Sequence, residues 1–350
     1  MTTTVLVTGG AGFIGSHAVE ELLAHGERVR VLDNFTTGRR ENLAGVTEAA
    51  GVAGRSGYAG DLEVVEGDVR DTATVAVAAA GCDRVLHLAA IASVSRSFDD
   101  PQETRVVNVD GTANVLAAAR AAGARRVVLA SSCAVYGTTD ALPVPEAAPP
   151  HPESPYAQSK LEGERLCRAA CTDDPNAGTD GFDTAVLRFF NVYGPRQDPS
   201  SDYSGVIAIF MDRLARARPC TVYGDGHQSR DFVYVKDVVA ACRAALDGRA
   251  PGGGPLASGP QASRPLVAEP INVGTGVETT LHDVLAALAA ASGREPVVRY
   301  AAAREGDIRR SRAACERAAE LLGFRASTAF REGLAATWEW YLSTAQARAR

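Results

Sequence analysis

The stretch "VLVTGGAGFIGSHAVEELLAHGERVRVLDN", residues 5–34, constrains this chain more than any other. Four continuous apolar or small residues predict a buried strand, glycines at 9, 12 and 15 predict a tight turn, and an amphipathic run predicts a helix opening directly from that turn. Glycines in this position let the backbone approach a pyrophosphate and leave the amides of the helix N-terminus free to bind it. A carboxylate, Asp33, ends the next strand, where it can accept hydrogen bonds from an adenosine ribose. An isolated glycine triplet is an ordinary strand-to-helix turn. Strand, helix and strand-end acid together predict a dinucleotide site, and Asp33 repels a 2′-phosphate, which favours NAD over NADP although Arg39 and Arg40 follow closely.

The same alternation continues. "LEVVEGDV", "RVLHLAA" and "RRVVLASS" are apolar strand candidates separated by helical runs such as "GTANVLAAARAAG". Near-continuous apolar strands indicate a parallel sheet covered on both faces. The expected fold is α/β, a Rossmann-type doubly wound parallel sheet over residues 1–187, with a smaller mixed α/β unit over 188–350. Segments near 231–248 and 269–276 are expected to return to the first unit. Three polar or Gly/Pro/Ala-rich stretches, 44–60, 172–181 and 249–268, read as surface insertions.

Bulk properties narrow the partners. A formal net charge of -6 argues against nucleic acid or an anionic membrane as the main partner, and no uncharged apolar run reaches the roughly 18 residues of a membrane helix. The start, "MTTTVLVTGG", carries no secretory signal pattern, so the expected compartment is cytoplasmic. Seven cysteines, at 82, 133, 167, 171, 220, 242 and 315, lack paired spacing and read as reduced thiols, with no metal site expected.

Two further segments carry chemistry. In "RVVLASSCAVYG" an apolar strand stops at Ser131, Ser132 and Cys133, and a reactive thiol at 133 is one reading of that end. In "SPYAQSK" Ser154 is an N-cap and Pro155 the first helical residue, so Tyr156 and Lys160 lie one turn apart on one face. Alone, such a pair is a half-buried tyrosine and a surface lysine. Beyond a dinucleotide fold and a strand-end serine it is a general base, the ammonium and a nearby nicotinium ring being expected to lower the phenol toward operating pH.

With GxxGxxG spacing in "TGGAGFIG", the chain resembles the extended short-chain dehydrogenase/reductase superfamily over nearly its whole length, and within it the nucleotide-sugar epimerases and dehydratases, above all the UDP-hexose 4-epimerases. The resemblance implies a catalytic set of Ser132, Tyr156 and Lys160. It implies NAD contacts from Phe13, Ile14, Asn34 and Gly38, from Asp68 and Val69 in "EGDVRD", and from Leu88, Ala89, Ala90 and Ala92 in "LHLAAIA". Asn108 would support the strands, Ser131 the nicotinamide, and Phe190 in "RFFNVYG" would approach it. For a nucleoside-diphosphate sugar it implies Val94, Asn191, Val206, Tyr223 stacking on uracil, Arg230 and Arg304 on the diphosphate with Arg309 a second candidate, and Ser311 as a small gatekeeper that admits an N-acetyl group. Where the resembling 4,6-dehydratases carry an Asp-Glu pair, this chain has Cys133 and Ala134, which disfavours elimination. Expected, then, is a UDP-hexose 4-epimerase, homodimeric through helices after 100 and after 155 in a four-helix bundle. A UDP-glucuronate 4-epimerase, a dehydratase or oxidoreductase using Cys133, and a catalytically silent NAD-bound scaffold are the alternatives.

Overall fold

The computed structural model describes residues 3–45, 62–172, 181–199, 205–248, 268–303 and 308–348. Arg304, and all but the edges of the stretches 44–60, 172–181 and 249–268, lie outside the described residues.

Seven strands form one parallel sheet: β1 (Thr4–Thr8), β2 (Arg28–Asp33), β3 (Leu62–Glu66), β4 (Arg84–His87), β5 (Arg126–Ser132), β6 (Asp183–Phe189) and β11 (Pro270–Val273). Their order across the sheet is β3-β2-β1-β4-β5-β6-β11. Every pairing is parallel. The expected doubly wound sheet is therefore present. Its composition follows from its cover: Val5 and Val7 enter one core, while Leu6 between them enters the other. On the first face lie α1 (Phe13–Ala24) and α8 (Val235–Asp247). On the second lie α2 (Thr72–Ala79), α5 (Gly111–Ala121) and α6 (Pro155–Thr172). Burial on both sides requires runs such as VLV rather than alternating apolar and polar residues. The edge strand β3 is the exception, with an exposed Glu63 and Val64.

The chain moves outward from β1 to β3 and then crosses back to β4, so β1 lies between β2 and β4. At such a reversal the loops after the two strands diverge and leave a crevice at their carboxyl ends. The path beyond β4 passes through the short helices α3 (Val94–Asp99) and α4 (Pro101–Arg105), then a π turn at Val106–Asp110, before α5 begins.

Beside the sheet, three two-stranded pairings form a smaller layer. They join β7 (Asn191–Tyr193) to β10 (Phe232–Tyr234), β8 (Cys220–Tyr223) to β13 (Val298–Ala301), and β9 (Ser229–Arg230) to β12 (Thr279–Thr280). Helices α7 (Val206–Ala215), α9 (Leu281–Ser292) and α11 (Phe330–Arg348) pack on them around Tyr193, Phe210, Leu288 and Trp338. Helix α10 (Glu316–Leu322) instead sends Ala318 and Leu322 into the core on the first face of the sheet.

Candidate active site

The three glycines after β1 each answer a different constraint. Gly9 has φ +70, and a Cβ there would stand 2.8 Å from the Ala89 backbone nitrogen. At Gly15 a Cβ would fall 2.1 Å from the Gly9 carbonyl oxygen, so only glycine lets α1 rest on the turn. Gly12 caps α1 without any side-chain cap, and a Cβ there would meet only the Gly9 carbonyl, at 3.1 Å. The first-turn amides thus stay open toward an anion. At the end of β2, Asp33 accepts the Ala11 amide on Oδ2 at 2.9 Å and the Phe35 amide on Oδ1 at 2.8 Å. Beyond β3, Arg70 and Asn34 donate to Asp68, and these bonds hold its carboxyl down at about 2.

A cavity of about 760 Å³ runs along these strand ends. Of the residues expected at the cofactor, Gly9, Gly12, Phe13, Ile14, Gly15, Asp33, Asn34, Gly38, Asp68, Val69, Leu88, Ala89, Ala90, Ala92, Ser131, Tyr156, Lys160 and Phe190 line it, and so does Ser132. Asn108 does not. Its amide donates to the Ile91 carbonyl at 3.0 Å and to Ser159 at 2.9 Å, and it accepts the Ile91 amide at 2.8 Å, bracing the cavity wall from behind.

Sequence reasoning missed the outer rim. Arg39 pairs with Asp198, and Arg40 pairs with Glu66 while lying 4.0 Å from the centroid of the Phe35 ring, so both arginines that follow Asp33 already have carboxylate partners. Arg196, which also lines the cavity, donates from Nη2 to Glu20 at 3.1 Å. Its Nη1 is buried with no partner among the described residues. The loop bearing Arg196 is held by His17, whose Nε2–H donates to the Pro195 carbonyl at 2.9 Å. Burial, and then Arg196, push His17 down to about 4.

At the inner end, Ser154 caps α6 by accepting the Ala157 amide at 3.1 Å, and Tyr156 and Lys160 face β5 together. Lys160 donates from Nζ to the Ala130 carbonyl at 2.9 Å and lies 5.8 Å from the centre of the Tyr156 ring. Burial pushes the Tyr156 phenol up to about 12 against the pull of the adjacent Ser132 hydroxyl, and burial pushes Lys160 down to about 8. In the protein's own field, desolvation outweighs the Ser132 hydrogen bond and the phenol keeps its proton. Ser132 ends β5 in extended geometry and accepts the Ala134 amide at 3.1 Å. The Cys133 thiol is pushed up to about 12 by burial, against Arg230.

Among the described residues, the candidates for a sugar nucleotide do not line this cavity, Ser132 excepted. Asn191, Tyr223 and Arg230 lie on strands of the smaller layer. Asn191 opens β7, its backbone N–H donating to the Asp231 carbonyl at 3.0 Å, Tyr223 ends β8, and Arg230 ends β9, donating to the Ser229 carbonyl at 2.9 Å and to that of Ile308. Ser311 is buried. Val206 opens α7, whereas Val94 opens α3 and is 45% exposed. Arg309 forks onto Asp225 at 2.8 and 2.9 Å. Asp231, which sequence reasoning passed over, is fully buried. It accepts the Thr275 amide at 2.8 Å and hydroxyl at 2.6 Å, the Gly276 amide at 2.9 Å and the Ala313 amide at 3.0 Å.

The model of the NAD dependent epimerase/dehydratase family matches residues 5–255. The chain belongs to this family. Among its relatives, the UDP-glucose 4-epimerase of Mycolicibacterium smegmatis is 39% identical over 97% of this chain and 99% of that protein. The solved Thermus thermophilus UDP-glucose 4-epimerase in complex with NAD is 37% identical, with a TM-score of 0.78 over 97% of this chain and 99% of that one. A UDP-N-acetylglucosamine 4-epimerase from Methanobrevibacter ruminantium, solved with UDP-N-acetylmuramic acid, is 31% identical, with a TM-score of 0.82 over 98% of this chain and 100% of that one. NAD is thus the cofactor of the family to which the cavity belongs, and the cavity fits it. Its glycine cradle, two strand-end carboxylates and the unpartnered Arg196 Nη1 suit a dinucleotide diphosphate and its riboses. Among the described residues no helix is long and apolar enough to cross a membrane, and no cluster of His, Cys, Asp or Glu is arranged for a metal.

Proposed function

We propose that the protein interconverts the C4 epimers of a UDP-hexose, in the glucose/galactose or the N-acetylated series. One observation carries this reading. Ser132 and Tyr156 meet at the inner end of the cofactor cavity, while the two positions after Ser132 hold a thiol that burial keeps protonated and an alanine, so no acid pair for elimination is present. Bound NAD supplies a hydride acceptor at C4 and a positive charge beside the phenol. Tyr156 then takes the C4 hydroxyl proton, Lys160 favours the phenolate, and Ser132 orients O4 by hydrogen bonding. Asn191, Arg230 and Arg304 hold the diphosphate and Tyr223 the uracil, so the 4-keto sugar turns about its linkage without leaving. The turned ketone presents its opposite face, where the hydride taken from C4 would be given back, and Tyr156 returns its proton to O4. Buried, small Ser311 leaves room for an N-acetyl group, and Val94 and Val206 border the sugar.

In this reading residues 1–187, with 231–248 and 269–276, form the NAD-binding unit and 188–350 the sugar-nucleotide unit. A second copy packs on the helices after 100 and after 155. Light scattering in solution tests that pairing. The activity is tested by incubating purified protein with UDP-glucose, UDP-N-acetylglucosamine and UDP-glucuronate, without added NAD, and following the sugars by NMR. Interconversion of C4 epimers is expected. Accumulation of a dehydrated or free 4-keto product with no epimer formed overturns the reading.

A further inference from the structure

Behind the catalytic residues lies a buried carboxylate that the chemistry above does not use. Glu164 sits on α6 one turn beyond Lys160 and two beyond Tyr156, and is almost fully buried. In the sheet beneath, Ser131 of β5 and Arg188 of β6 are direct partners in register, and Glu164 spans both. Ser131 donates its hydroxyl proton to Glu164 Oε1, and Arg188 donates from Nε to Oε1 at 2.9 Å and from Nη2 to Oε2 at 2.6 Å. Arg188 is itself held, 4.7 Å from the Tyr136 ring centroid and donating to the Glu146 carbonyl at 3.4 Å. Tyr136 donates to Asn272 Oδ1 at 2.6 Å, and the Asn272 backbone N–H donates to Glu146 Oε1 at 3.0 Å. The carboxylate therefore has little freedom to turn.

We propose that Glu164 is a positioning residue that fixes the direction of the Ser131 proton and sustains the charge of Lys160, coupling the cofactor wall to the catalytic base. The inference rests on the reading that Tyr156 and Lys160 perform the proton transfer. A serine has one proton and two lone pairs. With its proton committed to Glu164, Ser131 presents only lone pairs to the cavity, and so accepts from an N–H donor such as a carboxamide NH₂ while rejecting a carbonyl. Lys160 faces Tyr156 and Glu164 from its own helix and His87 from β4, with Arg188 behind Glu164. His87 is neutral in this setting: its ring lies between Thr8 and Thr112 at 2.7 and 3.0 Å, and burial lowers it to about 3. Glu164 is thus the nearby negative charge that favours the ammonium, and its attraction opposes the burial that lowers Lys160.

The test compares Glu164→Gln, which keeps the shape and one acceptor, with wild type in two measurements that do not depend on turnover. The first is the Tyr156 ionisation with NAD bound, read by ¹³Cζ-tyrosine NMR and assigned with Tyr156→Phe. Its midpoint should rise by about one pH unit. The second is NAD affinity by calorimetry in Glu164→Gln, Ser131→Ala and the double variant. The two single losses should not add, because both act through one hydroxyl. In turnover, kcat near neutral pH should fall about tenfold, recovering as pH rises, while KM stays unchanged. If Glu164→Gln does not fold, the double substitution Glu164→Met with Arg188→Met removes both charges without orphaning either, and the same Tyr156 shift is expected. A Tyr156 midpoint and NAD affinity equal to wild type, with only Tm lowered, overturn the proposal. A wild-type protein that epimerises no UDP-sugar overturns the functional reading alone, since the NMR and calorimetric results still decide the role of Glu164.

Discussion

The central sheet and the smaller layer beside it place their side chains by different means. In the sheet, candidate residues stand at or just after successive strand ends, Gly9 after β1, Asp33 on β2, Leu88 after β4 and Ser132 on β5, and the parallel register aligns those ends with one another. In the layer, the paired strands are two to four residues long, and segments near 230, 275 and 313 are gathered by the single buried carboxylate of Asp231. A ladder of many backbone bonds tolerates the loss of any one side chain. A hub of four bonds on one carboxylate does not. Changes at the sheet ends should therefore strike chemistry or cofactor affinity and leave the fold, whereas a change at the hub should strike fold and sugar binding together.

The largest effect is expected at Tyr156. Tyr156→Phe should lower kcat by about 10² to 10⁴ while calorimetric affinities for NAD and UDP stay at wild-type values. A lowered Tm, or lost NAD binding, would break the distinction at its clearest point. Next is Asp231→Asn. The amide retains one acceptor oxygen where the carboxylate had two, so either the Thr275 donors on Oδ1 or the Gly276 and Ala313 amides on Oδ2 lose their partner, at about 1.5–3 kcal/mol for each bond to the charged group. Tm should fall by several degrees and KM for the sugar nucleotide should rise, with NAD affinity unchanged in the protein that remains folded.

What is legible in the sequence divides along the same line. The glycine turn, Asp33 and the Tyr156–Lys160 pair are spaced by a few residues within one element or across one crossover, so local geometry exposes them. Asp231 meets partners 44, 45 and 82 positions away, and no spacing rule connects them. Glu164 reads as one more helix acid, because its meaning depends on Ser131 and Arg188 being register partners. Arg196 and Asp198 reach the cavity rim only because the loop after β7 folds back onto α1 and the loop after β2. The burial that raises the Tyr156 phenol in the protein's own field also escapes the sequence, since spacing does not show depth.

The seam between the two regions offers a pH test. At that seam His17 is buried and lowered to about 4, and inside the sheet His87, between Thr8 and Thr112, is buried and lowered to about 3. A base whose folded value is depressed binds protons more readily when unfolded, so stability is complete above pH 6.5 and is lost as pH falls from 6.5 toward 4. The His17 share is about 3 kcal/mol. Thermal melts should show Tm dropping through that window, and His17→Asn should flatten part of the drop. An unchanged slope in the variant would mean that His17, and with it the seam at Pro195, is not where acid acts. Smaller again is Arg196→Met. Its free Nη1 is expected to donate to the cofactor diphosphate, so the variant should lose about tenfold in NAD affinity with UDP affinity intact.

The smallest effect is expected where the two regions touch, at the turn after β5. Ser132 neighbours the Tyr156 phenol, and Cys133 beside it faces the field of Arg230 and Asp231. Adjacent in sequence, the two residues differ in chemistry: the hydroxyl can both accept and donate at O4, whereas a thiol held at about 12 stays protonated and is a poor donor. Cys133→Ala should therefore leave turnover within about twofold, the range of a substitution that breaks no bond that matters. Ser132→Ala should cost far more, on the order of 10² in kcat. Equal and severe losses from both would erase the boundary between sheet-end chemistry and the smaller layer, and would return Cys133 to the reaction as an acid, with elimination as the chemistry to look for in the products.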